Sequence, residues 1–145
     1  LFKAIFDFLL DNDPDEALKS VKRASRYASN TFEWRYSEAF LHFWKENYSK
    51  ALQICQKIKK QTYPTEVITL SEVREFNQNL LKKDNPKIQL YFWIGYLAYF
   101  KEKNLGNAFQ DFEAFEKSAD NNMDILKQKS YAYLIDIKRQ MKIKS

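Results

Sequence analysis

Apolar residues recur along the chain three and four apart, and polar breaks divide them into blocks of helix length. Asp13-Pro14-Asp15-Glu16 puts an N-cap ahead of a proline at the first helical position, with Glu16 placed to complete a capping box. Asn30 followed by Glu33, and Thr69 followed by Glu72, repeat that signal, and Asn85-Pro86 is a further cap-plus-proline start. Asn47, Asn104 and Asn121-Asn122 mark the remaining breaks, because an asparagine side chain can satisfy N–H groups at a helix start. The pattern predicts helices near residues 1–11, 14–29, 31–46, 48–61, 70–83, 87–103, 105–119 and 123–143. Val67-Ile68-Thr69-Leu70 is the one run with strand character. The expected fold is all-α, a single domain over residues 1–145.

The blocks are also similar to one another. Ala17, Ala51 and Ala108 each follow a turn, and each has apolar residues one, four and seven positions on. These are Leu18, Val21 and Ala24, then Leu52, Cys55 and Ile58, then Phe109, Phe112 and Phe115. Such spacing puts all four positions of a set on one helix face. Phe43-Trp44-Lys45-Glu46 and Tyr99-Phe100-Lys101-Glu102 precede the second and third alanines, a further correspondence.

The step from Ala17 to Ala51 is 34 residues. That step, the alanine after a turn and the apolar residue four on resemble the tetratricopeptide repeat. Gly95 resembles the small residue where the two helices of such a repeat approach closely, Ala39 occupies a similar place, and Tyr63-Pro64 resembles a terminal proline. The resemblance implies an α-α superhelix of stacked antiparallel helical hairpins, about three degenerate repeats and about eight helices, with no catalytic activity. There are departures. Ala51 to Ala108 is 57 residues, the third turn is one residue longer, residues 65–83 insert an extra helix, and Arg35, Glu38 and His42 stand where apolar residues belong. No first helix of a hairpin carries the Lys-x-x-x-Asn or Lys-x-x-x-Arg spacing with which some members clamp a carboxylate.

Composition narrows the chemistry. Lys and Arg number 24 against 19 acidic residues, a net charge of +5 with both signs interspersed. One cysteine excludes a disulfide framework and any CxxC metal or redox site. Two glycines leave no material for a Gly-rich phosphate loop. The longest apolar run, Leu90–Phe100, is far below the roughly 20 residues that span a bilayer. The chain opens on Leu1 without a basic leader, and reads as a piece of a longer protein.

His42, the only histidine, falls in the stripe Arg35, Glu38, His42, Glu46 and is expected on a solvated face. Cys55 is expected to be a buried, inert thiol. Asp11, Asp13 and Asp15 imitate the start of a calcium loop, but Glu16 stands at the required glycine and Lys22 at the required glutamate. Asn47-Tyr48-Ser49 matches a glycosylation triplet yet opens a helix. No catalytic residue, cofactor or metal is expected.

The informative excess is aromatic, with 12 Phe, 9 Tyr and 3 Trp. At about 100° per residue, Phe32, Tyr36, Phe40 and Phe43 cluster opposite the polar stripe, whereas Trp34 and Leu41 fall near it and Trp44 on its flank. Anchored on Gly95, the resemblance implies that Phe92, Tyr96 and Tyr99 face a concave groove. The candidate partner-binding residues are therefore Trp34, Leu41, Trp44, Phe92, Tyr96 and Tyr99. The competing reading is that these rings are internal, covered by the helix at 70–83 or by another copy of the chain. The expected function is a scaffold or adaptor that holds a protein or peptide segment, with a homo-oligomer as a further partner state. The alternative is a regulatory helical domain whose basic runs, Lys57-Ile58-Lys59-Lys60, Lys82-Lys83 and the C-terminal lysines, meet nucleic acid or an anionic surface.

Overall fold

Asp13 caps the first helix, but Glu16 does not close the capping box that its spacing predicts. Its carboxylate accepts from the Asp15 N–H at 2.8 Å, and its carbonyl accepts from Glu16 and Ala17. Glu16 pairs forward with Lys19 at 3.3 Å. The structure, a computed structural model, describes residues 13–27, 33–62 and 66–142. Its α-helices are α1 (Pro14–Tyr27), α2 (Glu33–Trp44), α3 (Tyr48–Lys60), α4 (Glu66–Leu81), α5 (Gln89–Phe100), α6 (Leu105–Ser118) and α7 (Asp124–Met141). A 3-10 turn at Asn121–Met123 leads into α7. No strand occurs among the described residues. The helix expected near 1–11, the Asn30 cap and Tyr63-Pro64 lie outside them.

Two boundaries differ from the sequence pattern. The run Val67–Leu70 is helical, because α4 begins at Glu66 and places Thr69 inside its first turn rather than at a cap. Buried Thr69, Val73, Asn77 and Leu80 fall three or four apart, with buried Leu70 and Leu81 beside them, which is the period of a helix rather than a strand. α5 starts at Gln89, past Pro86, since Asn85 takes a left-handed backbone with φ 51° and turns the chain first.

The chain divides between Glu66 and Val67 into two compact units. In the first, α2 packs against both α1 and α3. A helix flanked on two sides buries more than one stripe, and residues 36, 37 and 39–43 of α2 are all buried. This corrects the expectation for His42, which is 4% exposed and lies inside rather than on a solvated face. Arg35 reaches Gln61 by a hydrogen bond, and the Tyr36 hydroxyl donates to Glu66 at 2.6 Å.

In the second unit α5 packs on α6, which also meets α7. Gly95 marks a close approach. A Cβ there would fall 2.9 Å from the Phe112 ring and 3.2 Å from Asp111 Cβ, tighter than packed atoms accept. Ala17, Ala51 and Ala108 all have no exposure, as do Val21, Cys55 and Phe112 four residues on.

The turns before Ala51 and Ala108 close alike. Glu46 and Lys103 are left-handed, with φ 64° and 57°, and an asparagine follows each. The Asn47 N–H donates back five residues to His42 at 2.8 Å; the Asn104 N–H donates back six residues to Ala98 at 2.9 Å. The additional residue is absorbed within the turn. Asn104 then caps α6, its side chain accepting from the Asn107 N–H at 3.0 Å.

Candidate functional site

The structure brings three of the six candidate groove residues together, and it closes two of them off. Phe92, Tyr96 and Tyr99 join Phe100, Phe112 and Phe115 in an aromatic cluster with Tyr133 of α7 near its centre. Tyr133 lies 5.2–6.4 Å, ring centre to ring centre, from Phe92, Tyr96, Tyr99, Phe100 and Phe112. Phe92 has no exposure and Tyr96 only 3%. Both are therefore core, a correction to their assignment as groove lining, and Tyr133 is among the rings that close over them. Tyr99 stays half-buried, and its hydroxyl donates to Asp136. Burial and then that bond push the Tyr99 phenol upward.

Leu41 is likewise core, with no exposure, for the same reason as His42: α2 has neighbours on two sides. Trp34 and Trp44 remain half-buried. The Arg35 guanidinium sits 5.1 Å above the Trp34 ring, and Trp44 packs on Phe40 at 5.9 Å. Ten residues on a helix turn through roughly 280°, which leaves the two tryptophans about 80° apart around α2.

Another place collects polar chemistry. A concavity of about 670 Å³ lies at the start of α3, lined by Leu18 and Lys22 of α1, His42 of α2, Lys45, Glu46 and Asn47 of the turn, and Tyr48, Ser49, Lys50 and Gln53 of α3. Asn47 begins α3 with its backbone alone, its carbonyl accepting from Ala51 at 3.0 Å, and its side chain forms no cap bond. The Asn47 amide nitrogen instead lies 3.4 Å from His42 Nδ1. With the amide so oriented Nδ1 accepts, and the ring proton sits on Nε2. That Nε2 is buried and has no hydrogen-bond partner. Lys45 pairs with Asp15.

His42 is held neutral: burial, then Lys50, Lys22 and Lys45, lower its pKa from 6.5 to about 4. Between those values the unfolded chain takes up a proton that the folded chain refuses. Stability therefore falls as pH drops from about 6.5 to 4, by on the order of 3 kcal/mol. Urea midpoints against pH, for wild type and His42→Gln, isolate this effect. The expected result is a shallower acid slope in the variant, and identical slopes would refute it.

The second unit holds a part-buried ion cluster. Arg74 of α4 donates through one nitrogen to both Asp111 oxygens, at 3.1 and 2.9 Å, with Glu102 4.0 Å from its other nitrogen. Burial outweighs Arg74 and raises Asp111 to about 6; it raises Glu102 as well. Asp111 also lines a cavity of about 330 Å³ with Gln78, Leu81, Lys82, Tyr91 and Ile94. Cys55 is fully buried, which pushes its thiol far above the ordinary range and removes it as a nucleophile. Among the described residues no three His, Cys, Asp or Glu side chains converge as a metal site would require, and no helix is long and apolar enough to cross a membrane.

No protein-family model matches the chain, and neither a curated protein nor a solved structure matches it. Sequence reasoning missed Lys22, Lys45 and Lys50 as a group, because they sit on three different elements. The signal that could have found them is Asn47 five residues after the lone histidine, at a helix start.

Proposed function

We propose that this chain is a non-catalytic, tetratricopeptide-like binding module that holds a protein segment. The observation carrying the reading is the similar hairpin turn in both units: an aromatic pair, Lys-Glu, an asparagine preceded by a left-handed residue (Glu46 itself in the first, the extra Lys103 in the second) and a fully buried alanine. The reactive side chains fit it too, since the only cysteine and the only histidine are spent in the interior. Leu41, Phe92 and Tyr96 are unavailable to a partner, which leaves Trp34, Trp44 and Tyr99 as the candidate contacts. Half-buried tryptophans are efficient anchors, being rigid and large.

The test is capture of a partner from the native source, followed by affinity measurement at about 50 and 200 mM salt. Trp34→Ala or Trp44→Ala is expected to weaken the partner about 30-fold or more, with helicity retained by circular dichroism. Wild-type affinity in both variants would overturn the assignment of these residues. A loss of 10³-fold or more with salt would favour the alternative reading, in which basic helices neutralise phosphate. The lysines around the α3 start are the observation on that side.

A further inference from the structure

Two helix faces of the second unit carry the same spacing with opposite charge. On α4, Ile68 is followed four and seven residues on by Glu72 and Glu75; on α7, Ile135 is followed at the same steps by Arg139 and Lys142. Steps of four and seven stay on one helix face, and all six side chains are exposed. An apolar neighbour extends each stripe, Val67 at 77% exposure and Tyr131 at 64%. Among the described residues none of the four charged groups forms a salt bridge, and Asp136 of α7 already accepts from Tyr99 and Gln140. The helix dipole accounts for acids early and bases late. It does not account for the apolar pairs Val67 with Ile68 and Tyr131 with Ile135 lying beside them in water.

The stripes cannot close on each other within one chain. Tyr91 and Ile94 of α5 border a cavity with Gln78 and Leu81 of α4, whereas Phe92, Tyr96 and Phe100 of α5 meet Tyr133 of α7. At about 100° per residue the two sets point to opposite sides of α5, so α4 and α7 flank it on either side. We propose that the α4 stripe of one copy docks along the α7 stripe of a second copy, in parallel, with Ile68 on Ile135, Glu72 beside Arg139 and Glu75 beside Lys142. The α7 stripe does not suit itself, because both of its charges are positive. Two unlike faces on opposite sides make a head-to-tail contact, which builds rows or rings instead of stopping at a pair. The faces are small against the roughly 1,200 Å² of a stable interface, so the contact is transient, with a Kd on the order of 10⁻⁴ M.

The test is sedimentation equilibrium of the intact chain from about 10 μM to about 1 mM. The weight-average mass is expected to climb past that of two copies with no plateau there. Glu72→Lys with Glu75→Lys, and separately Arg139→Glu with Lys142→Glu, are each expected to weaken association about tenfold or more. Helicity by circular dichroism should be unchanged in both, because all four positions are exposed. Mixed in equal amounts, the two double variants are expected to regain wild-type association, since each offers the charge that the other now needs. Association that Glu72→Lys with Glu75→Lys leaves unaltered, a mass that stops at two copies, or a mixture no better than its parts would overturn the proposal. So would a chain that stays monomeric to about 1 mM, which would leave both stripes to other proteins.

Discussion

Ala51→Glu is expected to unfold the first unit. Ala51 has no exposure, and it stands on the α3 face that carries Leu52, Cys55 and Ile58 into the interior. A glutamate there must either bury an unpaired carboxylate or push α3 away from α2. Removing a charge from water without a partner costs several kcal/mol, and the added side-chain volume costs a further 1–3 kcal/mol. Together these approach the whole stability of a small domain, about 5–15 kcal/mol. Thermal melting followed by circular dichroism should show a loss of more than about 10 °C, or no cooperative transition. Ser49→Glu, exposed in the first turn of the same helix, should stay within about 2 °C of wild type, since a carboxylate suits a helix N-terminus. An Ala51→Glu melt matching that control would mean that α2 and α3 do not meet at Ala51.

The second large effect belongs to Asp111→Ala. It leaves the part-buried Arg74 with only Glu102, 4.0 Å away; stranding one member of a fully buried pair costs about 3–5 kcal/mol, and this pair is expected near the lower end of that range. Arg74→Leu differs in kind, because the two carboxyls it abandons can neutralise. Asp111 already titrates near 6 with Arg74 beside it, and removing the cation raises it further. An acid whose folded pKa lies above its unfolded value loses stability as pH rises through the folded value. Arg74→Leu should therefore be nearly as stable as wild type at pH 5 and fall progressively behind above pH 6, whereas Asp111→Ala should be impaired at both. Urea denaturation at pH 5 and 8 separates the two patterns, and a pH-independent loss in Arg74→Leu would refute this account.

The helices were legible because their starts are chemical. Asp13-Pro14 and Asn104 are read correctly from sequence alone, since a short polar side chain beside a proline or a break has few other uses. The start of α4 was not legible. Val67 and Ile68 are apolar but 77% and 65% exposed, so they carry a strand's composition without a core to define their period. His42 and Leu41 show a different limit. A helical wheel says which residues share a side, but not that α2 would have a neighbour on both sides. Phe92 and Tyr96 were misassigned for a related reason. Their covering ring, Tyr133, lies more than thirty residues on, and nothing in α5 itself records that α7 returns over it.

The two hairpin turns reach the same asparagine over spans of five and six residues, each closed by a non-glycine residue at positive φ. Because the slack is taken up before the asparagine, the following helix can keep its rotational phase when the linker gains a residue. Such a joint lets the turn lengthen by one residue while the buried alanine after it stays put. A fixed period is then a poor ruler for chains of this kind, and the phase of the buried alanine is the better one.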